Sequence, residues 1–173
     1  MNSLTEIKII EYNPEEDAAE LSLLVRSFFQ EQGDIAKRNK KFTLKDALSS
    51  TKLDFVQKRN NITLIAKSNN KIVGFIRAKK NEGIWLLKEI YVMKNNQKNG
   101  IGSKLFEKIK EILKSKKESA FYLSIIPLNK NALTFFKSKG INRLNMIELE
   151  VRLDDKKFDC KNNIIINDTK FEY

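Results

Sequence analysis

The chain has 173 residues, enough for one domain with its own core, and 41% of them are hydrophobic. The absence of histidine excludes Ser-His-Asp and Cys-His catalysis and His-based zinc sites, and the single Cys160 excludes an internal disulfide or a thiolate cage, so no metal is expected. The net charge of +11 favours polyanionic partners, but the lysines are spread along the whole length without a dense basic block interleaved with aromatics, so nucleic acid is not the expected partner.

Glu6 to Tyr12 predicts a short strand. Asn13-Pro14-Glu15-Glu16-Asp17 then opens a helix, with a capping Asn, a Pro in the first turn and acids at the positive dipole end. Ala18, Leu21, Val25 and Phe28 recur at helical spacing and give it one buried face, and Gly33 is the expected terminator. Thr43-Leu44-Lys45-Asp46 resembles a capping box and begins a second helix, interrupted at Ser49-Ser50-Thr51. Ile62 to Ala66 reads as a strand, Asn69-Asn70 as a tight turn, and Ile72 to Ala78 as the returning strand. Asn81-Glu82-Gly83 turns into a long strand, Ile84 to Met93. From Ile101 to Lys114, Ile101, Leu105, Phe106, Ile109, Ile112 and Leu113 form one apolar stripe at helical spacing. Ala120 to Ile126 is almost wholly apolar, as suits a strand covered on both faces. Asn129 to Lys139 predicts a short helix closed by Gly140 in the left-handed conformation. Glu148 to Leu153 alternates as a strand does, and Ile164-Ile165-Ile166 reads as a final edge strand. The order β-α-α-β-β-β-α-β-α-β is that of an α/β (α+β) fold, a mixed sheet with helices on it.

No apolar run approaches the roughly 20 residues that cross a bilayer, and Met1 to Glu6 lacks the basic-then-apolar pattern of a secretory signal. A cytoplasmic protein without membrane association is expected.

The most informative stretch is Gln97-Lys98-Asn99-Gly100-Ile101-Gly102, between the long strand and the striped helix. A glycine-bearing loop at a helix start turns backbone N–H groups and the positive end of the helix dipole toward one point, which suits a phosphate. Gly100 and Gly102 remove side chains that would block a close ligand. A plain strand-to-helix turn needs neither two glycines nor the Gln.

This order and loop resemble the Gcn5-related N-acetyltransferase (GNAT) superfamily. Its acetyl-CoA loop, Gln/Arg-x-x-Gly-x-Gly/Ala, is matched by Gln97, Gly100 and Gly102, and its preceding strand commonly ends Tyr-Val, as Tyr91-Val92 does. A second motif, Asn-x-x-Ala-x-x-Phe-Tyr with a Gly soon after, is matched by Asn129, Ala132, Phe135 and Gly140, with Phe136 in the Tyr position. The resemblance runs from about Glu6 to Leu153. It implies a mostly antiparallel central sheet with helices on both faces, an acetyltransferase domain over 1–153, and a C-terminal extension over 154–173 that adds an edge strand.

The resemblance also implies acetyl-CoA as cosubstrate and an amine acceptor that attacks the thioester directly through a tetrahedral intermediate. The diphosphate falls to the amides of Lys98, Asn99, Gly100, Ile101, Gly102 and Ser103, with Gln97 helping to orient it; Asn129 and Phe136 belong to the same cofactor set. In the family the fourth strand splays from the fifth, and its amides, here Ile90, Tyr91 and Val92, line the opening where the thioester oxygen needs a donor. A primary amine with a pKa near ~10 must lose a proton first. Glu89, three residues before Val92, is the candidate base, directly or through a water, set against a plain salt bridge with a neighbouring Lys or a solvated side chain; Glu82 and Glu31 are lesser candidates. Phe136 cannot protonate the leaving thiolate as the family's Tyr commonly does. Tyr91 is the candidate acid, Tyr122 a substitute, and an unassisted thiolate of pKa ~8.5 a third route.

Two other readings stand beside this one: a non-catalytic acyl-CoA-binding or regulatory module, motivated by Phe136, and a nucleic-acid binder, motivated by charge alone. By position, acceptor choice falls to the segment Phe29 to Phe55, the turns near Asn81 and the last strands. Glu31 and Asp34 there are outnumbered by Lys37, Arg38, Lys40 and Lys41, which disfavours a polyamine or aminoglycoside and leaves acidic peptides or small metabolites open. Family members are often dimers through sheet edges, a role open to Ile164 to Ile166.

Overall fold

The computed structural model describes residues 6–38, 41–151, 153 and 161–173. Lys40, Arg152 and residues 154–160 with Cys160 lie outside them, as do residues 1–5. The chain divides into two units, Met1–Ser124 and Ile125–Tyr173.

In the first unit, β1 (Ile7–Glu11) leads to α1 (Pro14–Ile35). The Asn13 side chain accepts the Glu15 N–H and Pro14 sits in the first turn, so the predicted start is the observed one. Gly33 does not end α1, contrary to expectation. The helix runs two residues further, is closed at Ala36, and leaves through Lys37 at φ 53. One helical Gly costs about 1 kcal/mol, which a 22-residue helix with a buried face tolerates. α2 (Leu44–Leu53) has the full Thr43–Asp46 capping box. It also runs through Ser49-Ser50-Thr51 without a break. The Thr51 hydroxyl donates to the Leu48 carbonyl at 3.0 Å and is buried, and the Tyr12 hydroxyl donates to the Thr51 carbonyl at 3.0 Å. The Ser50 hydroxyl likewise donates to the Asp54 carboxylate one turn on, at 3.0 Å, so neither side chain draws the backbone out of the helix.

β2 (Asn61–Ser68), β3 (Lys71–Asn81) and β4 (Ile84–Val92) form an antiparallel meander. Its two-residue turns use left-handed residues, Asn69-Asn70 at φ 49 and 61 and Glu82-Gly83 at φ 48 and 85. A single 3-10 turn, Lys94–Asn96, precedes α3 (Ile101–Ser115). β5 then adds to β4 in parallel, giving the sheet order β1-β2-β3-β4-β5. β5 is only Tyr122–Leu123, shorter than the predicted Ala120 to Ile126, and Tyr122 is exposed where cover on both faces was expected. The reason lies in β4, which bulges at Lys88, next to its last pairing with β5. A bulged strand bends away from its neighbour.

Helices cover both faces of this sheet. Leu21 and Val25 of α1 and Ala47 of α2 are fully buried with Phe55, Ile65 and Phe75, and Phe28, Phe29 and Tyr91 pack against that layer. Strand alternation sends Leu64 and Ile76 to the other face, where α3 buries Ile101, Leu105, Phe106, Ile109 and Leu113 against β1 to β4. Each such side chain contributes about 1.5–3 kcal/mol of transfer free energy.

In the second unit, α4 (Lys130–Ser138) is capped by Asn129, whose side chain accepts the Ala132 N–H at 3.0 Å. Gly140 follows it at φ 76, and the Ile141 N–H reaches back to the Phe136 carbonyl, the predicted left-handed exit. The strand expected over Glu148 to Leu153 is not found: residues 148–151 and 153 are in no strand and are exposed. Alternation specifies which side faces a core, but a strand forms only beside a partner edge. Ile164 to Ile166 is a strand, yet not an edge of the main sheet. It lies in β6 (Asn163–Ile166), which pairs with β7 (Thr169–Glu172) across the Asn167-Asp168 turn. Among the described residues no helix is long and apolar enough to cross a membrane.

Candidate functional site

β4 outlasts its partner. The β4–β5 pairing ends at Leu87, and Lys88 to Val92 continue with β3 alone. The Met93 N–H donates to the Val73 carbonyl at 2.9 Å. Antiparallel pairs alternate, so Tyr91, opposite Phe75, also turns its backbone toward β3, while Ile90 and Val92 turn theirs toward the side that β5 has left. Of the three amides expected to line the opening, alternation gives two to it and one to the sheet. Gly74 allows the two strands to close there; a Cβ on it would stand 2.9 Å from the Tyr91 carbonyl oxygen.

The loop after β4 is built from its own polar groups. Gln97 turns back and donates from Nε2 to the Val92 carbonyl at 2.9 Å, which ties the loop to the strand end. Asn99 donates weakly to the Asn96 carbonyl at 3.4 Å. Lys98 stands at φ 63 and Gly100 at φ 75, where glycine carries no steric penalty. Gly100 is the N-cap of α3 and offers no side-chain cap. The N–H groups of residues 98–103 have no acceptor among the described residues. Space is open for 4 Å around the place where a Gly100 Cβ would be. Consecutive donors without acceptors at an uncapped helix start fit a diphosphate.

Around the end of β4, the half-buried Tyr91 ring packs edge-on against Phe28, at 6.0 Å between centroids, and lies tilted at 6.2 Å from Phe75. Burial, and then the negative Glu31, raise its pKa above the ordinary 10.0, so the phenol holds its proton through the neutral range. A depression of about 220 Å3 opens beside it, lined by Leu23, Leu24, Ser27, Met93 and Lys94. Glu31 lies 3.9 Å from Lys94 at its rim. Glu82 is in the exposed β3–β4 turn, away from this group, and Tyr122 is on β5.

Glu89 is buried and fully engaged. Arg77 donates to both of its oxygens, Nε to Oε2 and Nη2 to Oε1, each at 2.6 Å. Arg77 also reaches the Asp54 carbonyl at 3.3 Å and lies over the Phe55 ring at 4.6 Å, which ties the end of α2 to β3 and β4. Sequence reasoning missed Arg77 and Gly74. Counting back from the β3–β4 turn pairs Arg77 with Lys88; only the bulge moves it to Glu89. Asn129 and Phe136 belong to the second unit: Asn129 caps α4, and Phe136 is buried with its ring 5.1 Å from that of Phe135.

A sheet parted between its fourth and fifth strands, followed by a donor-rich glycine loop, defines a class: the acyl-CoA-dependent transferases. Residues 30–141 match the family model described as Acetyltransferase (GNAT) family. That is more than half of the chain, which therefore belongs to the GNAT acetyltransferase family. It is an N-acetyltransferase, and acetyl-CoA is its cosubstrate. Solved structures agree in fold. An aminoglycoside N-acetyltransferase, AAC(6')-Iy, in complex with CoA is 12% identical with a TM-score of 0.71, over 89% of this chain and 99% of that one. The PaiA N-acetyltransferase from Thermoplasma acidophilum, in complex with coenzyme A, is 17% identical with a TM-score of 0.62, over 78% and 88%. A ribosomal-protein-alanine N-acetyltransferase from Brucella melitensis biovar Abortus 2308 is 16% identical with a TM-score of 0.65, over 86% and 100%.

Proposed function

We propose that this protein transfers the acetyl group of acetyl-CoA to a primary amine of a small molecule or peptide, in the cytoplasm, by direct attack of the amine on the thioester. The observation that carries this reading is the run of acceptorless amides at 98–103 just beyond the unpaired end of β4. The amides of residues 98–103 hold the diphosphate, with Gln97 fixing the loop. The outward amides of Ile90 and Val92 donate to the thioester oxygen as its charge grows. Asn129 and Phe136 stay in the cofactor set that the family motif implies. Acetyl-CoA supplies the acetyl group; the amine nitrogen bonds to the carbonyl carbon and the thiolate leaves. Tyr91 protonates that thiolate, a role supported by its place on β4 beside the parted strands. The two-pronged hold of Arg77 on Glu89 supports a positioning role for Glu89 in preference to the base, and the amine proton passes to water. A homodimer through a free strand edge of the β6–β7 hairpin completes the reading, and sedimentation velocity reads it.

A thiol-release assay across amino acids, small amines, polyamines, aminoglycosides and peptides tests the proposal. Turnover with at least one amine is expected, and so is a loss of turnover in Tyr91→Phe at unchanged acetyl-CoA affinity. Tight acetyl-CoA binding with no turnover on any amine would favour the second reading, a non-catalytic acyl-CoA-binding or regulatory module. The observation behind that reading is Phe136, buried and without a hydroxyl where the family motif has Tyr.

A further inference from the structure

The sheet face that carries Glu89 and Tyr91 is covered by α1 and α2 as far as Phe55. Past it lies a cavity of about 310 Å3, lined by Asp54, Arg77, Lys79, Asn81, Leu86 and Lys88. Three cations there face one carboxylate, and their charges are not equally spent. Arg77 is held by Glu89. Asp54 accepts the Ser50 hydroxyl at 3.0 Å. Lys79 and Lys88 make no ion pair among the described residues, whereas Lys67, Lys80, Lys108 and Lys110 each have a carboxylate within 3.1 Å. A hydroxyl cancels no charge, so with Arg77 offset by Glu89 and one lysine by Asp54 the cavity keeps one ammonium charge in excess.

Lys88 stands there because of the bulge. Ala78 pairs with Leu87 and Arg77 with Glu89, so Lys88 is the extra residue. Plain alternation would have sent it to the face opposite Glu89; a bulge re-aims the side chain, and Lys88 joins Arg77 and Lys79 at the cavity. The cavity also adjoins the point where β4 parts from β5, since Leu86 is one of the two β4 residues that still pair with it. On the acetyltransferase reading above, on which this inference rests, the acceptor amine must reach the thioester at that parting.

We propose that this cavity takes the anionic group, carboxylate or phosphate, of a small amine acceptor, with Lys79 and Lys88 as the residues that set this specificity. Charge-assisted hydrogen bonds from two ammonium groups reward such an acceptor, and a polycation is repelled.

The test compares kcat/KM within matched pairs: phosphoethanolamine against ethanolamine, and glycine and β-alanine against their amides. The anionic member of at least one pair is expected to be preferred by about tenfold or more, and the phosphate and carboxylate arms tell which group the cavity takes. In Lys79→Ala/Lys88→Ala that preference falls toward unity, mainly through KM, while acetyl-CoA affinity holds. Both lysines are exposed, so the variant is expected to fold. Equal or opposite preference in the wild type, or an unchanged ratio in the variant, overturns the proposal. A second measurement stands apart from catalysis: titration with inorganic phosphate, followed on the lysine Nζ resonances of both proteins. If no amine is turned over, the acetyltransferase reading fails by itself. Saturable phosphate binding that the double variant loses then still supports the anion site, and identical titrations overturn it.

Discussion

On the proposed function, Gly100 is where the loop's backbone comes closest to the diphosphate. Its φ of 75 strains any residue with a Cβ, by about 1–2 kcal/mol, and most of all a β-branched one. A Cβ there meets no protein atom within 4 Å, so packing is not what forbids it. Gly100→Val is therefore expected to weaken acetyl-CoA affinity about tenfold or more by calorimetry while the protein still folds. Unchanged affinity in the folded variant contradicts the loop assignment. Tyr12 offers a pH-dependent prediction. Burial, and the nearby Asp17, push its pKa up from 10.0 to about 12. A folded-state value above the unfolded one means that its contribution to stability is whole below pH 10 and is lost as pH rises from there toward 12. Urea midpoints are expected to fall over that window in the wild type and to fall less in Tyr12→Phe. At this scale the loop was legible in the sequence, because Gln97, Gly100 and Gly102 answer to backbone geometry within six residues. The partner of Glu89 was not, because it depends on a register twelve residues away.

Among the elements, β4 carries the candidate site, and the Arg77–Glu89 pair fastens it to β3 and α2. Arg77→Met leaves a buried carboxylate alone and is expected to cost about 3–5 kcal/mol in urea unfolding; Arg77→Met/Glu89→Leu is expected to recover most of that. On the positioning reading the double variant has reduced thiol release with the wild-type pH profile. A base at Glu89 would instead remove the limb of the profile that reports it. The helix starts were readable because capping is local: Asn13, Thr43 and Asn129 each satisfy an amide two or three residues on. Element ends were less so. Gly33 stays helical because tertiary burial outweighs one residue's propensity. β5 is short beside a bulge on a different strand, and the alternation of Glu148 to Leu153 is matched by no strand among the described residues.

The net charge of +11 acts over the whole molecule. A field of that sign is expected to draw acetyl-CoA, so its KM should rise between about 10 mM and 150 mM salt, as the screening length falls from roughly 30 to 8 Å, with kcat steady. A KM indifferent to salt leaves recognition to the loop alone. The sequence by itself determined the α/β class, the order of elements as far as α4, the GNAT resemblance and the glycine-bearing turn into α3, because these follow from periodicity, capping and glycine geometry within short stretches of chain. The tertiary structure alone decided the rest. The bulge at Lys88 set which residue faces which, giving Glu89 to Arg77 and sending Lys88 to the cavity. Beyond it the pairing with β5 ends, and among the described residues no strand takes up the amides of Ile90 and Val92. Register and strand separation are properties of two segments at once, and no reading of one segment contains them.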